Sequence, residues 1–459
     1  LDPASLAERK GAELVVNPPR SQERVIVRDR PWEQFMITFY LSVFEENGKL
    51  RMWYICRDAE KKPNLAYAES TDGVNWTKPE LGVVEYGGSR ANNLVGVTSL
   101  EGNVFRDPQP RSDAERYVYV STVFKGGGIY RFTSPDGFTW QRDSQPLLPF
   151  EGDSQNVTFW DGNLNRYVSY LRGWDVGQPG GSRRKVVRLE SDRLDRPSGV
   201  VPAQREKKQP ADPTRDPFII DELPTVFRCD EQDPADTDVY TNAVQPYPLD
   251  PAWYVGFPAF YRHAKQSPHR NDGWTETQFI SSRDGKRWER YGREGYLRPG
   301  LKGSESASML YMGTGLIVRG DEIWQYGTTY RTTHGDVPAR EKGGDGVIYR
   351  FIQRVDGFVS LDFASNGGRA RTLPVNVIGS DLLLNLDTGA LGTLRVALLD
   401  ENGQALPGFG IADCDPLLTN ATGAKVTWKG QGDLTSLRGK QVSVSFEGSR
   451  TKLYSFRFE

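Results

Sequence analysis

The stretch S-T-D-G-V-N-W at residues 70–76 recurs as S-P-D-G-F-T-W at 134–140 and S-R-D-G-K-R-W at 282–288. Each copy follows a β-rich alternating run: R-M-W-Y-I-C before Asp72, G-I-Y-R-F-T before Asp136 and T-E-T-Q-F-I before Asp284. An Asp side chain accepts hydrogen bonds from the backbone N–H groups of its own turn, and Gly tolerates positive φ. The Trp beyond them packs across the hairpin, so Trp76, Trp140 and Trp288 read as packing residues. The heptad therefore marks a hairpin joining the outer strands of a sheet. Two decayed copies follow K-V-V-R-L and V-I-Y-R-F-I-Q, namely E-S-D-R-L-D-R-P-S (190–198) and R-V-D-G-F-V-S-L (354–361). The turn residues are then Asp72, Asp136, Asp192, Asp284 and Asp356, and each interval accommodates one four-stranded blade. The longest interval carries a polar, Pro-rich surface insertion at 205–217. We predict an all-β chain, a five-bladed β-propeller over 24–362 followed by a C-terminal β-sandwich. Residues 1–23 form an N-terminal extension that supplies a strand closing the ring.

The sandwich is read over 363–459, where T-L-P-V-N-V, D-L-L-L-N-L-D, L-R-V-A-L-L-D, V-S-V-S-F and K-L-Y-S-F-R-F-E alternate with Gly- and Asn-rich turns. Composition agrees with many short strands. The chain has 459 residues with 48 Gly and 29 Pro, a density of turn formers that suits strands better than long helices. A hydrophobic fraction of 37% supplies a core. The net charge of −2, with no run of one sign, argues against nucleic acid and anionic membrane as partners. No apolar stretch approaches membrane-span length. Cys56, Cys229 and Cys414 are odd in number and lack C-x-x-C spacing, and only three His occur, so neither a disulfide framework nor a zinc site is indicated.

A repeated S-x-D-x-x-x-W hairpin in five blades followed by a sandwich resembles the superfamily of invertases, levanases, arabinanases and β-xylosidases. The heptads also look like the Asp-boxes of sialidases, which run S-x-D-x-G-x-x-W in six blades and fit less well. The chain is most similar to a family of exported glycosidase-like proteins common in planctomycetes and related bacteria. That pattern is carried by D-R-P-W-E (29–33), K-P-E-L-G (78–82), A-N-N-L-V (91–95), D-S-Q-N (153–156), V-Y-T-N-A-V (239–244), D-G-F-V-S-L (356–361) and L-Y-S-F-R-F (453–458). The resemblance implies a glycoside hydrolase acting on an oligo- or polysaccharide, secreted or periplasmic, whose signal peptide is not part of this sequence. The W-M-N-D-P-N-G and Glu-Cys motifs of invertase-like enzymes are absent, which argues against a fructosidase. The R-D-P of the second blade is present as Arg106-Asp107-Pro108, and the resemblance implies that Asp107 stabilises the transition state.

Each blade also offers an acid ahead of the strand expected to be innermost: Asp29 and Glu33, Asp107, Asp153, Asp238, and Glu305. Their convergence on one axis would supply the neutral acid and ionised carboxylate that glycosidic cleavage needs. The catalytic candidates are Asp107, Asp153, Asp238 and Glu305. For any single one of them, a turn or cap residue is an equally good reading. Candidate substrate-binding residues are Asp29, Trp32, Glu33, Arg106, Gln155, Asn156, Trp160 and Tyr240, with Tyr330, Arg331 and His334 from T-T-Y-R-T-T-H-G-D (328–336). The ordinary reading of that last stretch is a surface loop. Its Arg suits an acidic sugar, and its His and Tyr suit β-elimination. A polysaccharide lyase on uronate-containing glycans and a non-catalytic carbohydrate-binding propeller are the alternatives. No cofactor is implied; a ring of five acids would bind Ca²⁺ through oxygen. The sequence leaves the oligomeric state open.

Overall fold

The computed structural model describes residues 2–99, 101–124, 127–176, 182–203 and 219–459, so the insertion expected at 205–217 lies outside the described residues. The chain is nearly all-β, with 47% strand and 4% helix. Successive segments form antiparallel meanders. The first runs Met36–Glu46, Lys49–Arg57 and Pro63–Ser70. The second is Asn103–Arg106, Tyr117–Val123, Gly128–Ser134 and Gln141–Arg142, and the third is Val157–Asp161, Arg166–Asp175, Arg183–Ser191 and Thr225–Phe227.

The fourth meander is split along its strands. Thr237–Val239, Ala259–His263 and Gly273–Thr277 pair at one end; Gln245–Tyr247, Asp250–Gly256, Ile280–Ser282 and Glu289–Arg290 pair at the other. The fifth is Met309–Arg319, Glu322–Tyr330 and Val347–Arg354. Its last strand is the N-terminal Ser21–Ile26, antiparallel to Val347–Arg354. A parallel bridge between Thr314 and Ser42 joins the fifth meander to the first.

The leading strands of the meanders are stitched side by side through polar side chains. Val104 N donates to Ser42 Oγ (3.0 Å), Thr158 N to Asn103 Oδ1 (2.7 Å), Asn242 N to Gln155 Oε1 (3.1 Å) and Gly315 N to Gln245 Oε1 (2.7 Å). Thr314 Oγ1 to Ser42 Oγ (3.2 Å) returns the circuit to its start. Polar side chains are needed here because, apart from the single bridge between Thr314 and Ser42, the facing edges of the leading strands form no ladder, and buried N–H groups must be paired. The leading strands also kink, with positive φ at Tyr40 (87°), Gln155 (30°), Ala243 (41°) and Gly315 (114°).

The heptads have the turn chemistry expected of them. Asp72 Oδ1 accepts from Val74 N and Asn75 N (2.9 and 2.8 Å), and Asp136 and Asp284 repeat the pattern at their own turns. Their outer surface has a second use. Gly73 O accepts from Tyr326, Gly137 O from Trp53 and Gly285 O from Tyr170, at 3.0, 2.7 and 2.8 Å. Arg350, Arg51 and Arg188 donate to the preceding Asp carbonyls. Each heptad is thus clamped by an aromatic and an arginine of the neighbouring meander.

The C-terminal residues form two five-stranded sheets. One contains Gly368–Thr372, Thr393–Leu399 and Gln441–Ser449; the other contains Val359–Phe363, Leu382–Asp387, Asn420–Lys425 and Lys452–Phe458. The N-terminal strands Leu6–Lys10 and Ala12–Val16 add one edge to each. The sheets share one apolar core, in which Leu384, Leu386 and Leu453 meet Leu394, Val396, Val444 and Phe446.

Candidate active site

Glu101 and Asp153 lie in the loops before the leading strands of the second and third meanders, and Asp238 lies within Thr237–Val239, the first strand of the fourth. The loop G-D-S-Q-N turns sharply at Gln155. That residue's amide accepts from Asn242 N and Ala243 N (3.1 and 2.8 Å) and donates to Met312 O (3.2 Å). Asn156 Nδ2 donates to Glu101 O at 2.9 Å. Gln155 and Asn156, expected to face sugar hydroxyls, are fully buried; Gln155 is spent on backbone groups, and Asn156 Nδ2 bonds Glu101 O, Gly152 O and Thr122 Oγ1 while its Oδ1 has no hydrogen-bond partner among the described residues. Asp153 stays at the opening, 3.2 Å from Arg172 Nη1. Arg172 is itself buried and donates through Nη2 to Ser154 Oγ and Tyr240 O.

Beside it lies a second buried pair. Arg184 Nη1 donates to both oxygens of Asp238 (3.1 and 2.9 Å), and His263 Nε2 lies 3.2 Å from the same carboxylate. The guanidinium sits among aromatic rings, 4.8 Å from the centroid of Tyr240, 5.0 Å from Tyr261 and 5.3 Å from Trp174. Burial alone would raise the Asp238 pKa, but the Arg184 charge and the His263 contact hold it below the usual carboxylate value.

Tyr240 joins the two arginines. Its hydroxyl is 3.0 Å from His334 Nε2, and Arg172 also lies over its ring at 4.9 Å. Burial, helped by the charge of Asp153, pushes its pKa up to about 12 against the opposing arginines, and Glu101 adds to the rise. Burial and the nearby Arg184 lower His334 to about 4, leaving the imidazole neutral near pH 7. The Tyr40 hydroxyl lies beside them, with Tyr240, Glu101, Arg172 and Ser154 as its neighbours. The backbone of Tyr40 is strained, with φ 87°, a feature that gathers at functional sites.

Of the residues singled out in the sequence, the structure brings Asp153, Asp238, Tyr240, Gln155, Asn156 and His334 together. Others lie elsewhere. Asn103–Arg106 is itself the leading strand of the second meander, so Asp107 follows it, at the other end of that strand from Glu101. There it accepts from Tyr167 OH at 2.8 and 2.9 Å and from Gln109 N. Arg106 pairs with Glu46 at the same end (3.4 Å), and Trp160 packs edge-on against Tyr167. Glu305 is turned to the outer strands of the fifth meander, bonded to Arg24 (3.2 Å) and Tyr349 (2.7 Å).

Glu33 is fully buried against Lys78 (2.8 Å) and Tyr54 (2.6 Å) and caps Asp29 N and Arg30 N. Trp32 is held by Asn93 (2.9 Å), and Asp29 pairs with Lys78 (2.6 Å). Tyr330 is buried with its hydroxyl on Ile37 O (2.9 Å), which leaves it no part in an elimination. Arg331 is exposed on the loop beside Asp345. The five acids therefore form no ring that could hold Ca²⁺, and among the described residues no cluster of His, Cys, Asp and Glu is arranged for a metal.

Sequence reasoning misses Glu101, Arg172, Arg184, His263 and Tyr40. Glu101 carries a usable signal, since it precedes the leading strand of its meander as Asp153 does. That strand is only four residues long, too short to stand out from the alternating runs that follow it.

No protein-family model matches the chain, and no curated protein does. Among solved structures, one described as a glycoside hydrolase is 12% identical with a TM-score of 0.45, covering 74% of this chain and 92% of its own. An N-acetylgalactosamine deacetylase from F. plautii, in complex with blood group B trisaccharide, is 14% identical with a TM-score of 0.44, covering 76% and 97%. A family 43 arabinoxylan arabinofuranohydrolase from Bacillus subtilis, in complex with cellotetraose, is 11% identical with a TM-score of 0.40, covering 93% and 96%. At such identities and TM-scores the likeness assigns no activity, and the reading of the site rests on its own residues. No helix among the described residues is long and apolar enough to cross a membrane.

Proposed function

We propose that the meanders are the blades of a five-bladed propeller over 24–362, and that 363–459, extended by strands from 1–23, is a β-sandwich. We read the protein as an exported glycoside hydrolase whose substrate is an oligo- or polysaccharide. What supports this reading is the cluster around Tyr240, where Arg172 holds Asp153 at 3.2 Å, Arg184 holds Asp238 at 2.9 Å, His334 lies 3.0 Å from the Tyr240 hydroxyl, and Asn156 of the Asp153 loop bonds the Glu101 carbonyl at 2.9 Å. Glycosidic cleavage asks for two such carboxyl groups, one protonating the departing oxygen and one attacking the anomeric carbon or activating water. Asp238 plays a different part. Locked to Arg184, it keeps that guanidinium charged and in place beneath Tyr240.

Release of reducing ends from a polysaccharide library tests the assignment. Asp153→Asn and Glu101→Gln are each expected to lose about 10²–10⁴-fold in rate, the usual size of an acid–base contribution. Asp107→Asn, at the other end of its strand from Glu101, is expected to keep activity within about threefold. Hydrolysis that survives both of the first two variants refutes the site. An ultraviolet-absorbing unsaturated product that disappears in Tyr240→Phe would establish a lyase instead.

A further inference from the structure

Tyr240 sets the hydrogen-bond polarity of the site. His334 Nδ1 lies 3.0 Å from Asn271 O, and a backbone carbonyl can only accept, so Nδ1 carries the ring proton. With the ring neutral, Nε2 offers a lone pair to the Tyr240 hydroxyl 3.0 Å away. Tyr240 O–H therefore donates to His334, and its one proton is spent. His334 is the only hydrogen-bond partner of that hydroxyl among the described residues. What Tyr240 shows to the site is an oxygen with lone pairs alone.

The surroundings have the same character. Of Asp153 and Glu101, the one that is ionised only accepts, and the one that serves as the acid brings a single proton, given to the departing oxygen. Of the arginines nearby, Arg172 is engaged with Asp153, Ser154 and Tyr240 O and Arg184 Nη1 with Asp238, while Arg184 Nε has no hydrogen-bond partner among the described residues and is buried away from solvent. A carboxylate or sulfate placed against Tyr240 would meet lone pairs and carboxylates, with the guanidinium charges offset. A sugar hydroxyl would find an acceptor for its proton.

We propose that the Tyr240–His334 pair is a specificity device that selects a neutral sugar unit donating a hydroxyl proton to Tyr240, and that excludes an anionic group at that position. The location of the sugar rests on the glycosidase reading above; the choice between neutral and anionic units rests on the hydrogen-bond polarity.

The experiment uses the full chain and ligand-observed NMR titration. The probes are the methyl glycosides of galactose, glucose, xylose and arabinose, each with single hydroxyls replaced by hydrogen or by fluorine, together with methyl galacturonide and glucuronide. Fluorine accepts weakly and cannot donate. At one hydroxyl position of the binding sugar, hydrogen and fluorine are both expected to cost about tenfold in affinity, the size of one hydrogen bond. In Tyr240→Phe the parent sugar is expected to lose the same factor, with no further loss on replacing that hydroxyl. In His334→Phe the Tyr240 proton is freed, and the fluoro sugar is expected to approach the parent.

Tighter binding of a uronide than of its neutral counterpart, full retention of the fluoro sugar by the wild type, or equal losses for every analogue in Tyr240→Phe would each overturn the proposal. So would binding of none of the neutral glycosides. Hydrolysis that depends on Asp153 while any of these results holds counts against the proposal and leaves the hydrolase reading standing. Selective neutral binding without hydrolysis counts the other way.

Discussion

Replacing Asp238 by Asn keeps the shape of the side chain and removes its charge. The carboxylate is 1% exposed and Arg184 6% exposed, with nitrogen and oxygen 2.9 Å apart. Arg184 is boxed by Tyr240, Tyr261 and Trp174 and cannot turn to water. Breaking a buried pair from one side leaves the other charge uncompensated and costs about 3–5 kcal/mol. For a cooperative unit of roughly 340 residues, that corresponds to a fall of about 4–7 °C in the thermal midpoint. The pH dependence follows from the direction of the shift. The Asp238 pKa is lower in the folded state than in the unfolded chain, so its contribution is fully present above the ordinary Asp value and is lost as pH falls through the folded value. The gap between wild type and Asp238→Asn is therefore widest at neutral pH and narrows below about pH 4. Calorimetric scans of both proteins from pH 7 down to pH 3 measure it. A midpoint difference under about 1 °C at pH 7, or one that stays constant to pH 3, would refute the reasoning.

Two further outcomes are expected. Gly137 has φ 83°, and a Cβ there would stand 2.5 Å from Trp53 Cζ2, while a Cβ on Gly48 (φ 74°) would meet nothing within 4 Å. Gly137→Ala should therefore cost about 2–4 kcal/mol and Gly48→Ala only about 1 kcal/mol, and equal losses in thermal unfolding would argue against the clamp between meanders. His334 has a folded pKa of about 4, below the unfolded value, so its contribution is present above pH 6.5 and lost as pH falls toward 4. Between pH 7 and pH 4.5 the wild type should lose about 2–3 kcal/mol more than His334→Gln, and superimposable pH profiles of stability would contradict a buried neutral imidazole.

The strand content and the turn role of the heptads were legible because both are local. An Asp that caps its own turn, a Gly at positive φ and alternating side chains on a pleated strand need nothing from distant residues. Asp153, Asp238, Tyr240 and His334 were legible as polar residues beside expected strands. Asp107 and Glu305 were drawn in by the same rule and lie elsewhere. One follows its strand instead of preceding it, and the other meets Arg24, which is far away in sequence and adjacent only through the pairing of Ser21–Ile26 with Val347–Arg354.

The sequence alone determined an all-β chain punctuated by recurring Ser–Asp–Gly–Trp turns, a polar region around Asp153 and a change of texture near residue 363. Only the tertiary structure decided which groups face one another. Whether an acid caps a turn, pairs with a buried arginine or opens onto a channel depends on contacts between strands far apart in the chain. Arg184 meets Asp238, and Tyr240 meets His334, across separate strands and loops. The same geometry decided the protonation of the site. His334 is neutral because it is buried near Arg184 and bonded to Asn271, and a linear sequence carries neither fact.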